Sequence, residues 1–347
     1  MHAPEMWKVS TGKGIKVAVV DTGVNPNTAS LKGQVLADEV PKSIAYGVTE
    51  DYQGHGTAMG ELIAGTGRGG GVKGLAPDAK IIPLRISLGS LKGQAGLNLT
   101  SSSAVGIRAA ADSDAKIINL SFGGPSGVPE EAEAIKYAIS KGKLLFAATG
   151  NDEKSAGATY RDFPAAYPGV VGVSAADETG TVGDFSHSGS YIDLASPGLN
   201  VPVWCDTTFQ RYCPSQGTSQ ASAIASASAA LIWSAHPTWT ANQVLRTMID
   251  TAGRTWDKAT PSKYLGYGLI RPRLVLERPG IDPGPADVDP LSRENGTGGG
   301  APAVPTSKPT SKGEGGVSTP WIVGAAVAGG LVIGGGILAA LRTRRRA

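Results

Sequence analysis

The feature that most restricts the fold of this 347-residue chain is a set of five short apolar runs separated by helical patterns. Each run ends in residues typical of turns; the runs are GIKVAVVDTG, AKIIPLRIS, AKIINLSFGG, KLLFAATGN and VVGVSAAD. Runs that are apolar throughout are typical of strands buried on both faces. Because helical patterns alternate with them, they predict an α/β fold with a mainly parallel sheet covered by helices on both faces.

Helical patterns fill the gaps between the strands and continue after the last one. The predicted helices cover residues 55–65, about 100–111, 129–141, 219–235 and 240–251. The last of them starts with Thr240 and has Gln243 three residues later, which is the capping-box pattern. The helix at 219–235 consists mostly of alanine and serine, so we expect it to lie close against neighbouring backbone.

Four polar residues stand where predicted strands end or helices begin: Asp21, His55, Asn151 and Ser219. Singly, an aspartate at a strand end is more often a turn former, and a lone histidine is more often structural. Parallel sheets place their sites at the carboxyl ends of the strands, so we expect all four on one rim. There a carboxylate can hold an imidazole, the imidazole can take a serine proton, and an amide can bind an oxyanion.

Five motifs carry a family resemblance, in this order along the chain: VAVVDTGV, GHGT, INLSFGGPSG, AATGN and GTSQASA. They resemble the aspartate, histidine, substrate-strand, oxyanion and nucleophile motifs of the subtilases, which are subtilisin-like serine proteases. The resemblance covers about residues 7–275 and implies the subtilisin-like form of the predicted fold. It also implies that Asp21 orients, that His55 is general base and then acid, and that Ser219 is the nucleophile. Asn151 would join the Ser219 N–H in the oxyanion hole.

The resemblance further implies a substrate-binding strand. Ser121, Phe122 and Gly123 correspond to the segment that pairs with an extended peptide, which is a form of strand addition. The simpler interpretation of this stretch is an ordinary strand end. The expected partner is thus a protein or peptide substrate.

The chain departs from the family pattern at several positions. Ala223 stands where a proline is usual, Gln220 replaces a common methionine, and Glu61 stands where a glycine is usual. Residues 65–74 lack the carboxylate and amide ligands of the family's calcium loop, so we expect no metal there. No cofactor is implied.

The C-terminal part of the chain predicts a membrane anchor. Residues 279–320 contain 17 Pro or Gly among 42 residues, which is typical of an extended linker. Residues 321–341 carry no charge and span about 31 Å as a helix, enough to cross a hydrocarbon core. A buried core helix is the alternative, but it is rarely so long or so rich in glycine.

Charge at the end of the chain sets the expected topology. Four arginines lie in the tail at 342–347: Arg342, Arg344, Arg345 and Arg346. By the positive-inside tendency, this tail is cytoplasmic and residues 1–278 lie outside the cytoplasm on a single-pass anchor in the cell membrane. Without these arginines, 28 basic residues face 29 acidic ones, so there is no basic footprint for nucleic acid.

An export signal should accompany that topology. The first residues, MHAPEMWKVSTG, lack a basic start and an apolar core and do not form a signal peptide. Either a signal has been removed or the natural start lies upstream, and we favour the second.

Cys205 and Cys213 are the only cysteines. Outside the cytoplasm we expect them to form a disulfide, with two free thiols as the alternative.

A peptidase domain (1–278), a linker, one membrane span and an arginine-rich tail together resemble the mycosins, membrane-anchored proteases associated with type VII secretion. This resemblance implies an extracytoplasmic serine endopeptidase that processes proteins of such a system and contacts its components. Two alternatives stay open: an anchored exported subtilase of general degradative function, or a non-catalytic scaffold of a secretion complex.

Overall fold

The structure is a computed structural model that describes residues 1–86, 102–151 and 161–292. In this part of the chain, six strands form the central sheet: β1 (Lys16–Asp21), β2 (Lys80–Arg85), β3 (Ile117–Leu120), β4 (Leu144–Ala148), β5 (Val170–Ala176) and β6 (Leu194–Pro197). All pairs are parallel, in the order β2-β1-β3-β4-β5-β6. The first five strands lie within the five predicted runs.

The α-helices are α1 (Ala3–Trp7), α2 (His55–Ala64), α3 (Ser103–Asp112), α4 (Pro129–Ser140), α5 (Thr218–Ala235), α6 (Ala241–Thr251) and α7 (Pro272–Leu276). The five predicted helices correspond to α2 to α6, with bounds that differ by one to three residues. Helix α6 begins with the predicted capping box, in which Thr240 and Gln243 bond each other's backbone reciprocally.

Helices cover both faces of the sheet, as predicted. Successive side chains of β1 point to opposite faces because a strand has a period of two. Val17 and Val19 therefore join a core with α2 and α5, whereas Ala18 and Val20 join a second core with α3 and α4. Burial on both faces explains why the strand carries no alternating polar residues.

Strand β1 occupies the point where the order of strands changes direction. Its neighbours are β2 on one side and β3 on the other, so the chain leaves β1 for one edge and later returns to its other side. Open parallel sheets bind ligands at the carboxyl ends of the strands beside such a point. Asp21 is the last residue of β1.

Helix α5 packs against β3, β4, β5 and β6 and against α2. Its residues Ala221, Ala225 and Ala229 are completely buried. Because these side chains are small, the helix axis approaches the sheet closely, which confirms the expectation drawn from its composition.

A two-stranded antiparallel hairpin, β7 (Val201–Trp204) and β8 (Tyr212–Ser215), precedes α5. It carries the predicted disulfide between Cys205 and Cys213, whose Cα atoms lie 5.0 Å apart. The hairpin has no counterpart among the apolar runs because its strands are short and contain prolines.

The chain after α7 continues along α6. Gln243 Nε2 donates to Gly284 O (2.9 Å), and Arg246 donates to Val288 O (2.6 Å). Leu291 is buried. These contacts place residues 284–291 on the folded domain, although the composition predicts a linker from residue 279.

The predicted membrane span at 321–341 and the arginine-rich tail lie outside the described residues. Among the residues that the structure does describe, no helix is both long enough and apolar enough to cross a membrane.

Candidate active site

Asp21 and His55 form the centre of the site. Asp21 is completely buried at the end of β1, and its Oδ1 atom lies 2.7 Å from His55 Nδ1. The Thr22 amide N also donates to Asp21 Oδ1 (2.8 Å). With the proton on Nδ1, His55 keeps the lone pair on Nε2, which is the atom that can accept a proton.

His55 is the first residue of α2, and glycines on both sides make room for it. Gly54 has φ +75°, a left-handed conformation that favours glycine. A Cβ atom on Gly56 would lie 2.2 Å from Gly23 O, so only glycine lets α2 approach the end of β1 this closely. The GHGT motif therefore sets the distance between His55 and Asp21.

Asp51 is a residue of the site that sequence reasoning missed. Its buried carboxylate accepts hydrogen bonds from the Thr57 amide N (2.8 Å) and the Thr22 hydroxyl (2.7 Å). The Thr22 hydroxyl in turn accepts from Gly56 N (2.9 Å). Asp51 thus caps α2 and joins this helix to the turn after Asp21. The only sequence signal for the capping role of Asp51 is its position three residues before Gly54.

Two opposing effects act on the His55 imidazole, of which a third is exposed. Burial disfavours the charged ring and lowers its pKa, while the charge and hydrogen bond of Asp21, helped by the more distant Asp51, raise it. The carboxylates prevail, so the pKa of His55 lies above its usual 6.5.

Ser219 lies in the first turn of α5, where backbone N–H groups have no partner within the helix. Its hydroxyl donates to Ser121 O (3.0 Å), and the Ser121 hydroxyl donates to Ser219 O (3.0 Å). In the part of the chain that the structure describes, the Ser219 hydroxyl thus bonds to Ser121 rather than to His55. Catalytic hydrogen bonds of this kind often form only when substrate is bound.

Asn119 links the two segments that meet at Ser219. Its Nδ2 donates to Ser121 Oγ (2.8 Å), and its Oδ1 accepts from Ser222 and Ser226 on α5 (both 3.1 Å). Each of these side chains is at least 98% buried. The serines of α5 therefore fix the helix to the end of β3.

Asn151 follows β4 and reaches the start of α5. Its Oδ1 atom accepts from the amide N and the hydroxyl of Thr218 (2.8 and 3.0 Å). This contact orients the side-chain amide so that Nδ2 is available as a donor.

The segment Ser121, Phe122 and Gly123 continues from β3 to the surface. Ser121 is buried, Phe122 is half-buried and Gly123 is exposed. Gly124 already forms an antiparallel bridge with Phe163. Because glycine has no side chain, the exposure of Gly123 just before this bridge leaves its backbone accessible, as strand addition requires.

The four candidates therefore gather at one rim in two groups: Asp21 with His55, and Ser219 with Asn151. Together they supply a base, a hydroxyl at a helix N-terminus and an oriented amide, which is the set needed for acyl transfer. Within the described ranges, no cluster of three or more His, Cys, Asp or Glu side chains could hold a metal ion.

Comparison with known proteins identifies the family of the chain. Residues 12–268 match the subtilase family, peptidase S8. The chain is 36% identical over 243 residues to the major intracellular serine protease of Bacillus subtilis, and the match covers 67% of this chain and 72% of that protein. Among solved structures, MycP1 from the ESX-1 type VII secretion system gives a TM-score of 0.65 at 26% identity, covering 82% of this chain and 86% of that one. MycP3 protease from the type VII (ESX-3) secretion system gives a TM-score of 0.63 at 28% identity, covering 79% and 85%. The chain belongs to the subtilase family of serine endopeptidases.

Proposed function

We propose that Asp21, His55 and Ser219 form the catalytic triad of this endopeptidase. The observation that carries the proposal is the 2.7 Å contact between Asp21 Oδ1 and His55 Nδ1, on the same rim as the first turn of α5. That contact leaves His55 Nε2 to accept a proton, and Ser219 supplies the hydroxyl that gives one up.

In the proposed reaction, Ser219 Oγ attacks the carbonyl carbon of the scissile bond as its proton passes to His55 Nε2. Asn151 Nδ2 and the Ser219 N–H then donate to the oxyanion of the tetrahedral intermediate. The intermediate collapses as His55 gives the proton to the leaving amine, which leaves an acyl group on Ser219. A water molecule, deprotonated by His55, releases the acyl group and regenerates the hydroxyl.

The substrate in this proposal is an extended polypeptide that pairs with Ser121, Phe122 and Gly123. The exposed backbone at Gly123 supports this, because an added strand needs open N–H and C=O groups.

We further propose that the enzyme is a membrane-anchored mycosin that processes proteins of a type VII secretion system outside the cytoplasm. Two observations support this: the similarity to MycP1 and MycP3 over about four fifths of the chain, and the uncharged stretch at 321–341 followed by arginines. An anchored subtilase of general degradative function and a secretion-complex scaffold are the competing proposals.

A serine-directed fluorophosphonate probe tests the triad on the purified full chain. We expect one label per chain, lost in Ser219→Ala and nearly lost in His55→Ala, because the probe reacts with a hydroxyl that His55 deprotonates. Ser234→Ala, on the last turn of the same helix, and His236→Ala are the matched controls and should label normally. Undiminished labelling of His55→Ala would refute the role of that histidine.

A further inference from the structure

Helix α2 carries a buried carboxyl group, Glu61, six residues after His55. Glu61 is 1% exposed. Its Oε1 atom accepts a hydrogen bond from the Thr28 hydroxyl and its Oε2 atom accepts one from the Tyr212 hydroxyl, both at 2.7 Å. A carboxylate is costly to bury, and both of its oxygens are used here.

Tyr212 is the first residue of β8, and several contacts hold its side chain. Its ring stacks on Trp204 with 3.9 Å between ring centroids, and beside this pair the disulfide joins Cys205, the residue after β7, to Cys213 of β8. Its hydroxyl also accepts from Val72 N (3.3 Å), in the loop that follows α2. The tyrosine therefore connects the hairpin to α2 and its following loop.

The strand that starts at Tyr212 leads directly into the first turn of α5. At its end, Ser215 Oγ accepts from Gln220 Nε2 (3.0 Å), and Gly217 N donates to Gly198 O (2.9 Å). Seven residues along the chain from Tyr212 lies Ser219. A shift of β8 relative to α2 would thus move the nucleophile segment relative to His55.

We propose that Glu61 is a positioning residue: by holding Tyr212, it fixes the strand that leads into Ser219 against the helix that carries His55. This inference rests on the proposed roles of Ser219 and His55. It explains why a carboxyl group occupies a helix position where subtilase patterns usually have glycine. It also gives Tyr212 and the disulfide hairpin a part in the alignment of the site.

The test compares Tyr212→Phe, Glu61→Ala and Glu61→Gln with Thr28→Val in the purified full chain. Tyr212→Phe keeps the ring and removes only the hydroxyl, while Thr28→Val breaks the other bond of Glu61 without touching the hairpin. The readouts are kcat, KM and the rate of fluorophosphonate labelling, with the melting temperature as a check on folding.

We expect Tyr212→Phe and Glu61→Ala to lower kcat and the labelling rate about tenfold with KM unchanged. This loss is smaller than the ~10²-fold that a 1 Å misplacement of a reacting group can cost. Glu61→Gln should retain more activity than Glu61→Ala because its amide can still bond the Tyr212 hydroxyl. Thr28→Val should lower the melting temperature but keep wild-type kcat. Wild-type kcat in Tyr212→Phe, or an equal loss in Thr28→Val, would overturn the proposal. A wild-type protein without Ser219-dependent labelling would overturn the triad and this inference together.

Discussion

Thr218 orients Asn151: the Asn151 Oδ1 atom accepts hydrogen bonds from the Thr218 amide N at 2.8 Å and from its hydroxyl at 3.0 Å. The same hydroxyl accepts from Gly150 N at 3.2 Å. The chain before Asn151 is thus joined to the turn of α5 that carries Ser219. The proposed oxyanion donor and the proposed nucleophile are held by one local network.

Asn151→Ala should lower kcat by about 10²–10³-fold with little change in KM. The reason is that the amide stabilises an oxyanion that develops in the transition state and is absent from the bound substrate. Steady-state kinetics on a peptide substrate measures both constants. Asn242→Ala, which removes an amide bonded to Ala286 instead, is the control and should keep the wild-type kcat. A near-normal kcat for Asn151→Ala would mean that another donor serves the oxyanion.

The contact between Asp21 and His55 predicts a pH dependence. Only neutral His55 acts as a base, and its pKa lies above 6.5 because of Asp21, so kcat/KM should fall as the pH drops through that raised value. Asp21→Asn removes the carboxylate that raises the pKa of His55 but leaves the imidazole buried, so the acid limb of the kcat/KM profile should move to lower pH. The same change should lower kcat about 10⁴-fold. A pH profile of each protein checks this, and an unmoved acid limb in Asp21→Asn would contradict it.

Much of the site could be predicted from sequence because its residues lie at the ends of strongly patterned elements. The buried run KVAVV locates Asp21 at a strand end, and glycines flank His55. Parallel pairing then brings these ends to one rim, without any knowledge of side-chain contacts.

What the sequence does not predict depends on contacts between distant residues. Glu61 bonds to Thr28, 33 residues before it, and to Tyr212, 151 residues after it; no local pattern encodes either contact. The hairpin of β7 and β8 is not predicted because each of its strands contains a proline, Pro202 opposite Pro214, and prolines argue against a strand. Strand β6 is no shorter than the predicted β3, with four residues each, but its sequence LASP contains a serine and a proline and therefore forms no apolar run.

The disulfide predicts a mass difference and a stability difference. In protein made in an oxidising compartment, reduction should add two hydrogen atoms to the intact mass, and no free thiol should be present before reduction. Reduction should lower the free energy of unfolding by about 2–3 kcal/mol on the chain-entropy description of so short a loop. Alkylation of Cys205 and Cys213 in unreduced native protein would contradict both the bridge and the proposed location.

Burial raises the pKa of Glu61 above its usual 4.5, against the opposing hydrogen bonds of Thr28 and Tyr212. A raised pKa means that the folded state favours the neutral carboxyl group, so the stability it contributes is present below pH 4.5 and is lost as pH rises through the raised value. The free energy of unfolding of wild type should therefore decrease relative to Glu61→Gln over this window. Urea unfolding of both proteins at several pH values measures the difference, and a difference independent of pH would contradict the prediction.

The last prediction separates catalysis from assembly in the cell that makes the protein. Ser219→Ala removes one oxygen atom from the first turn of α5, so the variant should accumulate normally, fractionate with the membrane and leave its substrate uncut. Ser234→Ala, on the same helix, should behave as wild type. The deletion strain removes the enzyme and any contacts it makes, whereas Ser219→Ala removes the reaction alone.

Comparison of these strains therefore distinguishes the competing proposals. If catalysis is the whole role, the Ser219→Ala strain should share every secretion defect of the deletion strain. If the protein also supports a secretion complex, Ser219→Ala should restore secretion while the uncut substrate persists. This is the outcome we expect, because the proposed anchor would hold the folded domain beside the secretion machine, where surfaces other than the active site would be in reach of its components. Normal substrate processing by the Ser219→Ala strain, with no other protease responsible, would overturn the proposed triad, since no hydroxyl would remain at the position that the reaction requires.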